Sequence, residues 1–291
     1  MENKKINNGK IYSLIKYEYL RWLINPRIAI FACMLIFIVN YMVDVMVNAS
    51  NTMGEPLGVF ELFIATANSE EMCIIMPAVF FILIGDFPRK DPNALLYVHR
   101  LGRLKWLVGQ VVVSILIIAT YLGTILLFLM AMSGKNPSWA NEWSEVVTKY
   151  PVLYADEAEF DISKFISGRL YNNFTPYETL GYSFLLLFGL LLMLAMLKIV
   201  FFLLNKQTLG VLVVASLLVF SWAFSILDIK IKWLFPLSHA IGWQHCDMVF
   251  STMTVTLEQS VIYFGVLSIL SFIGSVFLVD KFDFGNTKGT T

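Results

Sequence analysis

Residues 106–131 read WLVGQVVVSILIIATYLGTILLFLMA, twenty-six residues without a single charge. A helix gains about 1.5 Å per residue, so about 20 apolar residues cross a bilayer core. The stretch is long enough to cross, and it lacks the strict alternation of a barrel strand. Outward from it lie five more apolar runs, at 28–47, 72–87, 179–204, 209–227 and 259–279. The 72–87 run is short, so it is either steep or begins within the less apolar residues 57–67. Hydrophobic residues make up 58% of the 291 and charged residues 14%, far from a soluble domain. The expectation is an all-α polytopic membrane protein with six transmembrane helices. The first run follows a 27-residue polar and amphipathic segment. A signal-peptide core is shorter and nearer the start, so this run reads as a retained anchor.

The formal net charge is zero, but the charges are sorted. The N-terminus and every second gap after it, with Lys198 near the end of its run, hold 15 of the 21 Lys and Arg. They hold only 6 of the 21 Asp and Glu, so one side carries +9 and the other −9. Cytoplasmic loops are enriched in Lys and Arg. Both termini are therefore expected in the cytoplasm, and the expected location is the plasma membrane of a bacterium. Lys198 lies close enough to its span's end to snorkel toward water.

Residues 1–10 are polar and expected to be mobile. In 11–25 the apolar side chains fall on one helical arc: Ile11, Tyr12, Ile15, Tyr19, Trp22 and Leu23. Ser13, Tyr17, Glu18, Arg21 and Asn25 occupy the other, while Leu14 and Lys16 break the pattern. The segment reads as an amphipathic helix lying in the interface, ended by Asn25-Pro26. Residues 1–27 are thus set apart from a transmembrane domain over 28–291.

The inner loop at 86–105 carries its own helix signals. Asp91 offers a cap, Pro92 suits a first helical position and Gly102 a terminator, which predicts a helix over 92–101. The outer gap 132–178 is long for a turn and short for a domain. Its acidic run 156–161 reads as a solvated face. The 205–208 loop predicts a tight hairpin. Residues 228–258 are half-apolar and too short to cross twice. They predict a re-entrant outer hairpin before the sixth span, broken near Gly242, with Pro236, His239, Trp243 and His245 on it.

These features together resemble the permease subunit of type-2 ATP-binding-cassette exporters. Tyr17-Glu18-Tyr-Leu-Arg21…Asn25-Pro26-Arg27 is similar to that family's start. Leu95-Leu96-Tyr-Val-His-Arg100-Leu-Gly-Arg103 is similar to its run into the third span. Residues 88–92 and the long 132–178 loop depart from the family pattern. The resemblance implies an N-terminal in-plane connecting helix, with Tyr12, Ile15, Tyr19, Trp22 and Leu23 on it. It implies a cytoplasmic coupling helix between spans two and three, with Asn93, Leu96, Tyr97, Arg100 and Arg103 as docking residues. The implied partners are two ATPase subunits, a second permease chain, identical or related, and the lipid bilayer; nucleic acid is not among them. ATP and Mg would sit on the ATPase, and this chain would bind no cofactor of its own.

The chain has no G-x-x-x-x-G-K-[ST] phosphate loop, so ATP hydrolysis by that route is excluded. No catalytic residue is assigned. His239, His245, Cys246 and Asp247 form the nearest approach to a metal set, but their spacing matches zinc sites poorly and no metal is assigned. Cys73 and Cys246 both fall near the outer face, where pairing is open to them. No span carries a carboxylate chain, which favours a hydrophobic or amphipathic substrate such as a peptide, drug or lipid-like molecule. Two other functions fit the same sequence: a non-transporting sensor or immunity protein that binds an extracellular ligand, and a membrane-embedded metal-dependent enzyme.

Overall fold

A computed structural model describes residues 2–134, 136–154, 162–227, 229–246 and 253–284. The acidic run 156–161 and Asp247 lie outside the described residues. The fold is all-helical, with no strand among the described residues beyond two isolated bridges. Among the described residues five helices are long and apolar enough to cross a membrane: α2 (Ile28–Met53), α6 (Arg103–Met132), α9 (Pro176–Leu203), α10 (Gln207–Ile226) and α12 (Leu257–Val279). This is the architecture of a multi-pass helical membrane protein. Helix α2 runs six residues past its apolar run and contains a π-turn at Val39–Val43.

The run at 72–87 is not a continuous span. It belongs to a pair, α3 (Glu61–Asn68) and α4 (Met72–Leu83), bent by 85° at the intervening residues. The twelve residues of α4 reach about 18 Å, short of a bilayer core. The break has a local cause. Asn68 turns its amide back onto the Ile64 carbonyl (2.9 Å), Ser69 is extended, and its hydroxyl donates to Glu71 (2.8 Å). Polar side chains compete with the helix ladder at this point.

Helix α1 (Glu2–Leu23) starts far earlier than residue 11 and stops before Asn25-Pro26. The Asn25 side chain accepts the Arg27 backbone N–H (3.0 Å), holding the turn into α2. Helix α5 (Pro92–Leu101) forms with the caps the sequence signals. Asp91 accepts the Ala94 N–H (2.8 Å), and Gly102 closes the helix at φ 85°, where a side chain would be strained.

Helix α9 is the centre of the bundle, with half its apolar window buried, and it packs most heavily on α12. The described residues of the 132–178 segment fold onto one end of the bundle. Helix α7 (Glu145–Leu153) and the short α8 (Gly168–Tyr171) bring Val146, Val147, Tyr150, Phe165 and Leu170 into the main core. Glu61 fastens this cap, accepting from the Gly58 N–H (2.8 Å), the Ser144 N–H (2.7 Å) and the Ser144 hydroxyl (2.7 Å).

The described residues of the segment before α12 break near Gly242, as the sequence suggests, but into single turns rather than longer helices. They form three single turns, Lys230–Leu234, α11 (Pro236–Ala240) and Gly242–His245, with Ile241 extended between the last two. Pro236 starts a turn that five residues cannot extend beyond about 8 Å.

At the other end, α1 crosses α6 where Gly109 leaves room for Leu14. A Cβ at position 109 would lie 2.6 Å from Leu14 Cδ2. Gly109→Val should pry α1 off α6 and lower stability by about 1–3 kcal/mol, read as a lower thermal midpoint in detergent. Adding Leu14→Ala to that variant should restore part of the loss.

Candidate functional site

The two ends of the bundle differ in kind. One end gathers α1, the 86–102 loop, the α9–α10 turn and the end of α12, and it is rich in Lys and Arg. Here α1 and α5 are joined. Arg21 pairs with Asp91, Asn93 Nδ2 donates to the Tyr17 hydroxyl (2.7 Å), and the Tyr17 and Tyr97 rings lie 6.2 Å apart. Between the helices runs an open groove of about 260 Å³ lined by Lys10, Ser13, Tyr17, Asn93, Leu96, Tyr97 and Arg100. Four of the residues expected on a docking surface, Asn93, Leu96, Tyr97 and Arg100, thus share one groove.

Arg103 does not. Its guanidinium turns inward and donates to the carbonyls of Val279 (2.9 Å), Asp280 and Phe282 (3.1 Å). The last carbonyls of a helix have no partner within it, and Arg103 supplies one to the end of α12.

The faces of α1 also differ from the sequence reading. Leu14, Glu18, Trp22 and Asn25 are the buried positions, while Tyr12 is 67% exposed and Leu23 is also exposed. Ile15 and Tyr19 lie between, and the Tyr19 hydroxyl is 2.6 Å from Thr120 Oγ1 on α6. The apolar arc of the sequence is a face for lipid as much as for protein. A narrower stripe centred on Leu14 and Glu18 meets α6. Burial, reinforced by the nearby Asp91, pushes the Glu18 pKa up to about 7 against the pull of Arg21 and Arg89.

The opposite end holds a polar knot around Asn68. Its Oδ1 accepts the Gly242 N–H (2.8 Å), and its Nδ2 donates to Ser183 Oγ on α9 (2.8 Å). Its backbone carbonyl accepts the Trp243 indole N–H (2.9 Å). The break between α3 and α4 and the turns after Pro236 are therefore held by one residue. One signal for it is present in the sequence, an asparagine opening the polar break Asn68-Ser-Glu-Glu71 in an apolar stretch. It could not show that Gly242 and Ser183 converge there.

His239 and His245 serve the same region structurally. His239 bonds Ser260 Oγ (2.7 Å) and the Trp233 carbonyl (2.8 Å), and the His245 ring nitrogens face the carbonyls of Val255 (2.8 Å) and His239 (3.3 Å), of which a neutral ring donates to one. All four ring nitrogens face protein partners, and no metal-type group of three His, Cys, Asp or Glu converges among the described residues. Pro236 is buried beside them. The cysteines are free, and the buried Cys73 thiol donates to the Ala67 carbonyl (3.0 Å).

No protein-family model, curated protein or solved structure matches this chain.

Two outcomes follow from the site. A carboxyl held up near 7 favours the folded state when protonated, so its stabilising preference is full below about 4.5 and is lost as pH rises toward 7. Glu18→Gln should therefore raise the thermal midpoint at pH 8 by an amount equivalent to about 1–3 kcal/mol, and change it little at pH 4.5. Asn68→Ala should leave the Gly242 N–H and the Ser183 hydroxyl without their partner. It should cost about 1–3 kcal/mol in the same assay, and Asn68→Asp should not rescue it, because it cannot donate to Ser183 when ionised.

Proposed function

We propose that this chain is the permease subunit of an ATP-binding-cassette transporter that exports a hydrophobic or amphipathic substrate. In this reading the bent pair α3–α4 counts as one span, giving six with both termini in the cytoplasm of a bacterium. Two separate ATPase subunits hydrolyse ATP, and a second permease chain, identical or related, completes the assembly. Helix α1 lies at the interface, and α5 is the coupling helix.

The observation that carries the reading is the groove between α1 and α5. It sits on the basic end, and its walls belong to two elements that a polytopic bundle does not need for spanning. Helix α5 buries Ala94, Val98 and Leu101 against the bundle and turns Asn93, Leu96 and Arg100 outward. A basic loop needed only for orientation has no use for a capped helix with an outward apolar side chain. Leu96 and Tyr97 supply contact area and Lys10 and Arg100 a charge at either side. Energy from ATP would then act by favouring one packing of the spans over another through α5.

The test is affinity purification of the tagged full chain from its native membrane. An ATPase bearing a phosphate loop should come with it. With Leu96→Asp and Arg100→Glu together, ATPase recovery should fall about tenfold or more with no change in thermal midpoint. Wild-type chain that brings no such ATPase, and that functions after removal of residues 92–102, ends the reading.

A further inference from the structure

At the basic end, the turn from α9 into α10 closes a pocket around a single cation. Lys198 lies five residues before the end of α9 and is 8% exposed. Its stem is buried, and only a small part of the residue reaches the surface. The ammonium sits 5.1 Å from the centre of the Phe81 ring, and Phe87, Phe202, Gln207 and Val211 complete the wall. Among the described residues no carboxylate lies within ion-pair distance of it and no group accepts a hydrogen bond from it. Asp86 is the carboxylate whose field reaches Lys198, but it is shared between Arg27 (2.7 Å) and Arg89 (3.7 Å). The Arg27 charge acts on Lys198 in the opposite sense. The ammonium thus lies among aromatic rings with no direct anionic partner among the described residues, and a charge drawn largely out of water without one is costly.

Size selects the missing partner. The enclosed space is about 10 Å³, room for one oxygen-sized group. A soluble anion could insert one oxygen as well, but it would gain nothing from the apolar surface beside the pocket. A phospholipid needs to insert only one phosphate oxygen, leaving its glycerol and tails outside. On that side the neighbouring α10 surface is apolar and open, with Leu209, Val211 and Leu212 exposed. We infer that Lys198 anchors the headgroup of an acidic phospholipid from the leaflet that meets the basic end of the bundle. Phe81 and Phe87 exclude water from the contact, and the acyl chains lie along α10. The inference stands whether or not an ATPase binds this chain.

The full chain, delipidated in detergent, is titrated with phosphatidylglycerol, phosphatidylcholine or inorganic phosphate. Native mass spectrometry reads bound lipid and thermal unfolding reads stabilisation. Phosphatidylglycerol should bind about tenfold or more tightly than phosphatidylcholine, since a hydrogen bond to a charged group is at stake. Inorganic phosphate should shift nothing. Lys198→Met should reduce phosphatidylglycerol to the phosphatidylcholine level, and Lys198→Arg should keep the preference. Without lipid, Lys198→Met should unfold at the same temperature as wild type or higher, because it removes an uncompensated charge. A lower midpoint for Lys198→Met without lipid would mean that the protein itself partners the ammonium, and the inference fails. It fails equally if the methionine variant keeps the preference, if the two lipids bind alike, or if inorganic phosphate alone stabilises the wild type.

Discussion

In a medium without water, any backbone N–H or C=O that leaves a helix must find a partner inside the protein. In this chain single polar side chains meet that constraint at the breaks. Asn25 receives the Arg27 N–H at the turn into α2. Asn68 receives the Gly242 N–H where α3 gives way to α4. Arg103 takes the carbonyls at the end of α12, and the histidines take those of Trp233, Val255 and His239. Irregular chain packed within the bundle persists only where such partners exist. Among the described residues, His239 and His245 thus spend their ring nitrogens on the fold.

The same economy shapes the basic end. Both oxygens of Asp91 are in use. One caps α5 through the Ala94 N–H, and the other meets Arg21. The first turn of α5 is therefore tied to α1, while its outer face borders the groove. Because Leu14 at Gly109 and Tyr19 at Thr120 fix α1 to α6, a force on α5 reaches the bundle along two routes. One is the short Gly102 link into α6, and the other is α1. Glu18 sits where these meet, and its charge state weakens or strengthens the packing near neutral pH.

Elements with local causes were legible in the sequence. Asp91 and Pro92 open α5 and Gly102 closes it, and uninterrupted apolar length defines α6, α9, α10 and α12. The tight α9–α10 turn followed from a four-residue loop. What escaped depends on distant partners. Hydropathy sums over a window cannot see an 85° bend, because the residues on both sides remain apolar. Leu14 broke the amphipathic arc of α1, yet it is buried, since which stripe meets protein is decided by Gly109 on another helix. Arg103 has the composition of a docking residue, and only the three-dimensional position of residues 279–282 shows that it is occupied. Asn68 is one asparagine among many until Ser183 and Gly242 are placed beside it.

The bent pair α3–α4 meets the straight α9 through a polar contact at each end. At one end Asn68 meets Ser183, and at the other Phe81 meets Lys198. Fifteen residues of unbroken helix separate Ser183 from Lys198, about 22 Å. A rod of that length does not shorten, so a change in the bend must loosen one contact. The Ser183 bond contributes about 1 kcal/mol and a shielded cation–ring contact about 0.5–2 kcal/mol, so neither outweighs the other. What sets the Asn68 end apart is that the same side chain also holds the Ile64 carbonyl and the Gly242 N–H. Loosening that end would therefore disturb the break between α3 and α4 and the turns before α12 together, while loosening the Lys198 end would disturb neither.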